Sequence, residues 1–232
     1  MNSDPSSQPT GVPVAPVDPP AWHSRGYLPH FEGAEAVQHV AFHLADSLPK
    51  GALDRLEEEI GELPIDERAL ERRKQIEAWI DAGHGSCALR DPRAAAIVQD
   101  ALLFFDAGRY RLIAWAVMPN HVHALFQSLP GWTVAQIVAS WKKFTARKIS
   151  ASGTADLQIG SAGKTSTVFW HREYWDRCIR NERHFRQAVQ YIHENPVKAG
   201  LVSKAEDWCW SSAYGGRRTP LEPPISRSAP GA

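Results

Sequence analysis

Cysteine and methionine are scarce, with three of the first and two of the second in 232 residues. Cys87, Cys178 and Cys209 have no metal-type spacing, and an odd number argues against a disulfide framework, so a reducing, cytoplasmic setting is expected. Net charge is missing too, because 26 Lys and Arg balance 26 Asp and Glu. No apolar run approaches a membrane span, and the N-terminus lacks the basic-then-apolar layout of a secretory signal. These absences exclude a disulfide-stapled secreted domain, an integral membrane protein built on apolar helices, and a binder that relies on bulk attraction to a polyanion. The length suffices for one well-cored domain with extensions.

What charge there is lies unevenly. Acids dominate from Asp46 to Glu71, whereas from Trp141 to Gly200 eleven basic side chains face five acidic ones. That basic half is compatible with a surface that tracks phosphates.

The run Met118-Pro-Asn-His-Val-His-Ala-Leu-Phe126 carries two imidazoles separated by one apolar residue. On a strand His121 and His123 project from the same face and Val122 from the other, so the pair can share one metal ion while Val122 enters the core. Two ligands leave coordination positions open, which suits catalysis better than structural support. Further along, Asn181 is a favourable N-cap, and Phe185, Ala188, Val189 and Ile192 repeat with the rhythm of one helix face. Tyr191 and Asn195 are one turn apart on a neighbouring stripe, a hydroxyl beside a carboxamide, with Pro196 expected to end the helix near Asn195. The first group is a potential nucleophile and the second a hard oxygen ligand.

Four ordered motifs, Met118 to His123, Phe169 to Arg177, Tyr191 to Leu201 and Trp208 to Ser212, together resemble the REP-associated tyrosine transposases, members of the HUH single-tyrosine transposases. The resemblance runs from about Arg25 to about Tyr214. It implies that His121 and His123 bind a divalent ion, Mg²⁺ or Mn²⁺, that Asn195 is the third ligand, and that Tyr191 is the nucleophile. It also implies a single-stranded DNA substrate bearing repetitive extragenic palindromic hairpins, and a nucleoid-associated cytoplasmic protein with no obligate protein partner.

The expected plan is α+β, a mainly antiparallel sheet with helices on one face, matching the family's ferredoxin-like core. The first strand spans Val37 to Ala45, with His39 and His43 on one face as surface histidines. Helices over 51–61 and 65–82, separated by Pro64, form an insertion after it, and a third helix starts at the Asp91 cap. Arg109 to Met118 reads as a central strand, Val122 to Gln127 as its hairpin partner and Thr133 to Ser150 as an amphipathic helix. Residues 23–214 form the domain, flanked by leads expected to be disordered over 1–22 and 215–232 and interrupted by a flexible loop over about 151–167. Gly160 to Thr165 mimics a phosphate-binding loop, but Gln158 occupies the position of that motif's first glycine.

Trp170, Tyr174 and Trp175 interleave with Arg172 and Arg177, a composition suited both to a core and to base stacking on single-stranded DNA. Lys142, Lys143, Arg147 and Arg180 are the further candidates for DNA contact, and Trp141 could join them. Trp208 and Trp210 read as packing anchors. Three alternatives stay open: a histidine-based nucleotide hydrolase or transferase, an HUH replication initiator, and a domesticated DNA-binding protein with little cleavage activity.

Overall fold

The computed structural model describes residues 21–24, 29–32, 36–48, 51–152 and 168–215. The expected leads lie outside these residues apart from Ala21, Trp22 and Gly215, and the expected loop does so apart from Ala151 and Ser152. The elements in chain order are β1 (Ala21–Ser24), β2 (Pro29–Glu32), β3 (Val37–His43), α1 (Ala52–Ile60), α2 (Ile65–Asp81), α3 (Pro92–Phe104), β4 (Tyr110–Val117), β5 (His121–Ser128), α4 (Val134–Ala151), β6 (Trp175–Cys178) and α5 (Glu182–Lys198). The fold is a mixed α+β arrangement around an open antiparallel sheet of order β4-β5-β3-β6, and β1 and β2 form a separate two-stranded ribbon.

Strand alternation divides the sheet into two faces. Val40, Phe42, Leu44, Val122, Ala124 and Phe126 enter a core closed by α3 and α4, where Val98, Leu102, Ile137 and Trp141 are buried. Local sequence starts both helices as anticipated: the Asp91 carboxylate accepts from Arg93 N–H ahead of Pro92, and Thr133 forms a reciprocal capping box with Gln136. Helix α5 takes the opposite face, packing Ala188 and Ile192 on Ala114, Ala116, Met118 and Leu125. The expected one-sided plan therefore gains a helix on its second face, the face that carries the histidine pair.

Two further expectations are corrected. Strand β4 lies at an edge of the sheet, while β3 and β5 are the central strands. The outer edge of β4 is covered by the C-terminal segment, where Val117 N–H donates to Trp210 C=O at 2.8 Å and Ser212 N–H to Trp115 C=O at 3.0 Å. Trp208 adds an indole N–H to Val117 C=O, an anchor of the expected kind. Pro196 does not end α5, which continues to Lys198. A proline removes one N–H without forbidding a further turn. Termination comes instead from Gly200 at φ 68°: its N–H reaches Val197 C=O and that of Leu201 reaches Pro196 C=O, the paired bonds of a Schellman cap.

The helices α1 and α2 form the hairpin inserted after β3, held by a bidentate Arg72–Glu57 ion pair. Beyond α2 the chain turns tightly against Asp46, whose carboxylate accepts from Ser86 N–H at 2.8 Å. Gly85, at φ +92°, passes so close that a Cβ there would sit 2.5 Å from the Asp46 carbonyl oxygen. Only glycine fits this approach, and it fixes where α2 exits.

Candidate active site

Register places the site. In the β3–β5 ladder His43 faces His121 and Ala41 faces His123, and β6 sets Arg177 opposite His39 and Trp175 opposite Ala41. Paired residues share a face, so four histidines, Trp175 and Arg177 all lie on the side covered by α5. His39 and His43 were expected at the surface, yet they are 4% and 6% exposed. Alternation along β3 determines which face they occupy; α5 and the α1–α2 hairpin determine that this face is covered.

His121 and His123 point their Nε2 atoms at each other across 3.0 Å. Asn120 fixes the first ring. Its Nδ2 donates to the carbonyls of Ile80 and His84, at 2.9 and 3.2 Å, so its Oδ1, 2.8 Å from His121 Nδ1, must accept. His121 thus carries its proton on Nδ1 and offers an Nε2 lone pair. His123 Nδ1 lies 3.2 Å from His39 Nε2, which can accept in the same way. Burial holds both rings neutral: His123 is lowered to about 3, and His121, with His123 and His43 beside it, falls well below its usual value.

Neutral imidazoles with inward lone pairs are the form a metal requires. Two nitrogens about 2.1 Å from a common ion and at right angles are about 3.0 Å apart, so the observed spacing fits a shared divalent cation. Asn195 is 3% exposed, and its side chain lies close enough to His121 and Asp81 to bias the protonation of both, raising the first and lowering the second. Tyr191, one turn earlier, lays its ring edge-on to those of His123 and His39, with centroids 5.3 and 5.8 Å apart. The hydroxyl of Tyr191 donates to Asp81 Oδ2 at 3.2 Å. His121, His123, Tyr191 and Asn195 therefore meet at one place.

Asp81 was not anticipated. It is one acid among many on a hairpin rich in them, and no local spacing distinguishes it. Its Oδ1 lies 3.6 Å from His121 Nε2, and burial raises its pKa against the pull of Tyr191, Asn195 and Lys198. Beside it opens a cleft lined by Leu48, Leu53, Ile76, His171, Tyr174 and Trp175.

The basic and aromatic candidates separate. Lys143, Arg147, Arg172, Arg177 and Arg180 are exposed. Lys142 is corrected: its ammonium donates to the carbonyls of His171, Arg172 and Glu173 at 2.9, 3.1 and 3.0 Å, which commits all three of its protons to anchoring that loop. Trp170 is core, 5% exposed, with its indole N–H on Thr145 Oγ1, and Trp141 is buried likewise. Tyr174 is half-buried at the cleft.

Residues 99–195 match the family model described as IS200-like transposase, a segment holding both histidines, Tyr191 and Asn195. The chain is 27% identical over 109 residues to a REP-associated tyrosine transposase of Escherichia coli (strain K12), with 45% of this chain and 55% of that protein covered. It is 24% identical over 105 residues to a similarly named protein of Haemophilus influenzae (strain Rd), covering 45% of this chain and 60% of that one. The chain thus spans somewhat over half the length of these curated relatives. A solved REP-associated tyrosine transposase bound to a REP hairpin aligns with a TM-score of 0.45 at 18% identity, over 78% of this chain and 79% of that one. The resemblance read from the motif order is borne out by the family and relative matches. Among the described residues, no helix is long and apolar enough to cross a membrane.

Proposed function

We propose that this chain is a metal-dependent single-tyrosine transposase that cuts and rejoins single-stranded DNA carrying REP-type palindromic hairpins. The observation that carries the reading is the convergence of Tyr191 and Asn195 from one helix on the facing Nε2 atoms of His121 and His123. The REP-associated naming of the matched relatives supports the hairpin substrate.

His121, His123 and Asn195 would hold a divalent ion, Mg²⁺ or Mn²⁺. Such an ion would supply positive charge that offsets the charge developing on the phosphodiester under attack. Tyr191 attacks phosphorus through its phenolic oxygen, losing a proton whose reference pKa is about 10. A Tyr191 oxygen–phosphorus bond forms as the phosphorus–3′ oxygen bond breaks, leaving a 5′-phosphotyrosine and a 3′-hydroxyl. The bond energy stays in the phosphotyrosine, so another 3′-hydroxyl can reverse the step without ATP. Tyr174 and Trp175, at the cleft beside His123, are placed to stack an unpaired base.

Incubation of the protein with labelled single-stranded hairpin DNA and Mn²⁺ tests this. A covalent adduct is expected, absent in Tyr191→Phe and in His121→Ala and suppressed by EDTA, whereas Asn195→Ala retains part of it because water can replace one oxygen ligand. An adduct in Tyr191→Phe would move the nucleophile elsewhere. Tight hairpin binding with no adduct under any metal would favour a DNA-binding protein without cleavage.

A further inference from the structure

The α1–α2 hairpin lies outside the segment 99–195 matched to the transposase family, yet its last residue reaches the site. Asp81, His121 and His123 each offer one ligand atom within 4.8 Å of the others. The two Asp81 oxygens have separate neighbours: Oδ1 is 3.6 Å from His121 Nε2, and Oδ2 accepts from the Tyr191 hydroxyl at 3.2 Å. We propose that Asp81 is a carboxylate ligand of the divalent ion through Oδ1 and holds the Tyr191 hydroxyl through Oδ2, so that the insertion completes the catalytic centre. The inference rests on the metal-dependent reading above.

Three physical points support it. The 3.6 Å between Oδ1 and His121 Nε2 is about 0.6 Å beyond the roughly 3.0 Å that separates adjacent ligands at right angles, a closure that rotation of the part-exposed Asp81 carboxylate supplies. Two neutral imidazoles and a carboxamide leave a divalent charge uncompensated in a buried place, and a carboxylate offsets half of it. The position is also built. Asn120 binds the carbonyl of Ile80, next to Asp81, with one end and His121 with the other, so the helix end and the first imidazole share one anchor. Four protein ligands would leave about two positions of a six-coordinate ion for the phosphate and water.

The test is metal binding by the full chain without DNA, followed by calorimetry and by the Mn²⁺ paramagnetic resonance signal. It compares wild type, His121→Ala, Asp81→Asn and Asp81→Ser, with circular dichroism of the metal-free proteins to identify a folded variant. Wild type is expected to bind one Mn²⁺ and His121→Ala to lose it. Both Asp81 variants should bind Mn²⁺ and Mg²⁺ about 10–100-fold more weakly while losing much less for Ni²⁺ or Zn²⁺, which imidazole alone holds well. Unchanged Mn²⁺ affinity in a folded Asp81 variant, or an equal loss for every metal, would overturn the assignment and leave the His121–His123 reading standing. No Mn²⁺ site in wild type, or one that survives His121→Ala, overturns the metal-centred reading and this inference with it.

Discussion

Asn120 Oδ1 lies 2.8 Å from His121 Nδ1, and this hydrogen bond decides which nitrogen of the imidazole is free to bind a cation. Because both Asn120 amide protons are spent on the carbonyls of Ile80 and His84, the carboxamide cannot flip without losing two hydrogen bonds.

Asn120→Ala should therefore weaken Mn²⁺ binding about 10-fold or more even though Asn120 is no ligand, since it frees the ring to change tautomer and orientation. Calorimetry on the purified variant checks this. Wild-type affinity would show that packing alone orients His121.

The acid limb of stability offers a second check. Burial and the neighbouring His171, 4.5 Å away and stacked, lower His43 from 6.5 to about 3, and burial does the same to His123. Below 6.5 the unfolded chain takes up protons that the folded chain refuses, so stability present above that pH is lost as pH falls from 6.5 towards 3. For His43 alone the loss at about pH 5 is on the order of 2 kcal/mol. Urea unfolding in EDTA should show it, and His43→Phe should make the acid limb shallower. An identical pH dependence in that variant would mean that His43 titrates normally.

The strand faces were legible in the sequence because period two sets His39 with His43 and His121 with His123, each pair opposite the apolar residues between them, whereas the register that puts both pairs on one side was not. Their burial was not, since it depends on α5 and α2 meeting over that side, which no local pattern encodes. Tyr191 and Asn195 were legible from helix spacing combined with motif order. Asp81 was illegible because its position is set by the Gly85 turn and by Asn120, which tie together residues far apart in the chain. Lys142 misled for the converse reason: a lysine on an amphipathic helix reads as a solvated charge, and only the approach of residues 171–173 turns it inward.

Lys142→Met accordingly should act on stability and not on DNA. Removing a charged donor from three carbonyls costs about 1–3 kcal/mol in urea unfolding, whereas the salt dependence of hairpin binding should stay as in wild type. A flattened salt slope with unchanged stability would restore Lys142 to the phosphate-binding surface.

The form of the DNA follows from where the exposed and cleft-lining side chains lie. With a balanced total charge, affinity has to come from local features: Arg172 and Arg177 are exposed, Arg177 lies on the histidine face, and Tyr174 and Trp175 line the cleft beside His123. Stacking needs an unpaired base, which a duplex keeps inside its own stack. A single strand carrying a hairpin should therefore bind and be cut, and the same sequence as perfect duplex should be refused. Combined Arg172→Ala and Arg177→Ala should weaken binding and lower the salt slope by about 0.7 for each phosphate no longer neutralised, because fewer counterions leave a single strand. Titrations of both DNA forms across a salt series measure this directly. Equal cutting of blunt duplex would reject the single-stranded substrate, while an unchanged slope in the double variant would reject only the two arginine–phosphate pairings and move the phosphate path towards Lys143, Arg147 and Arg180.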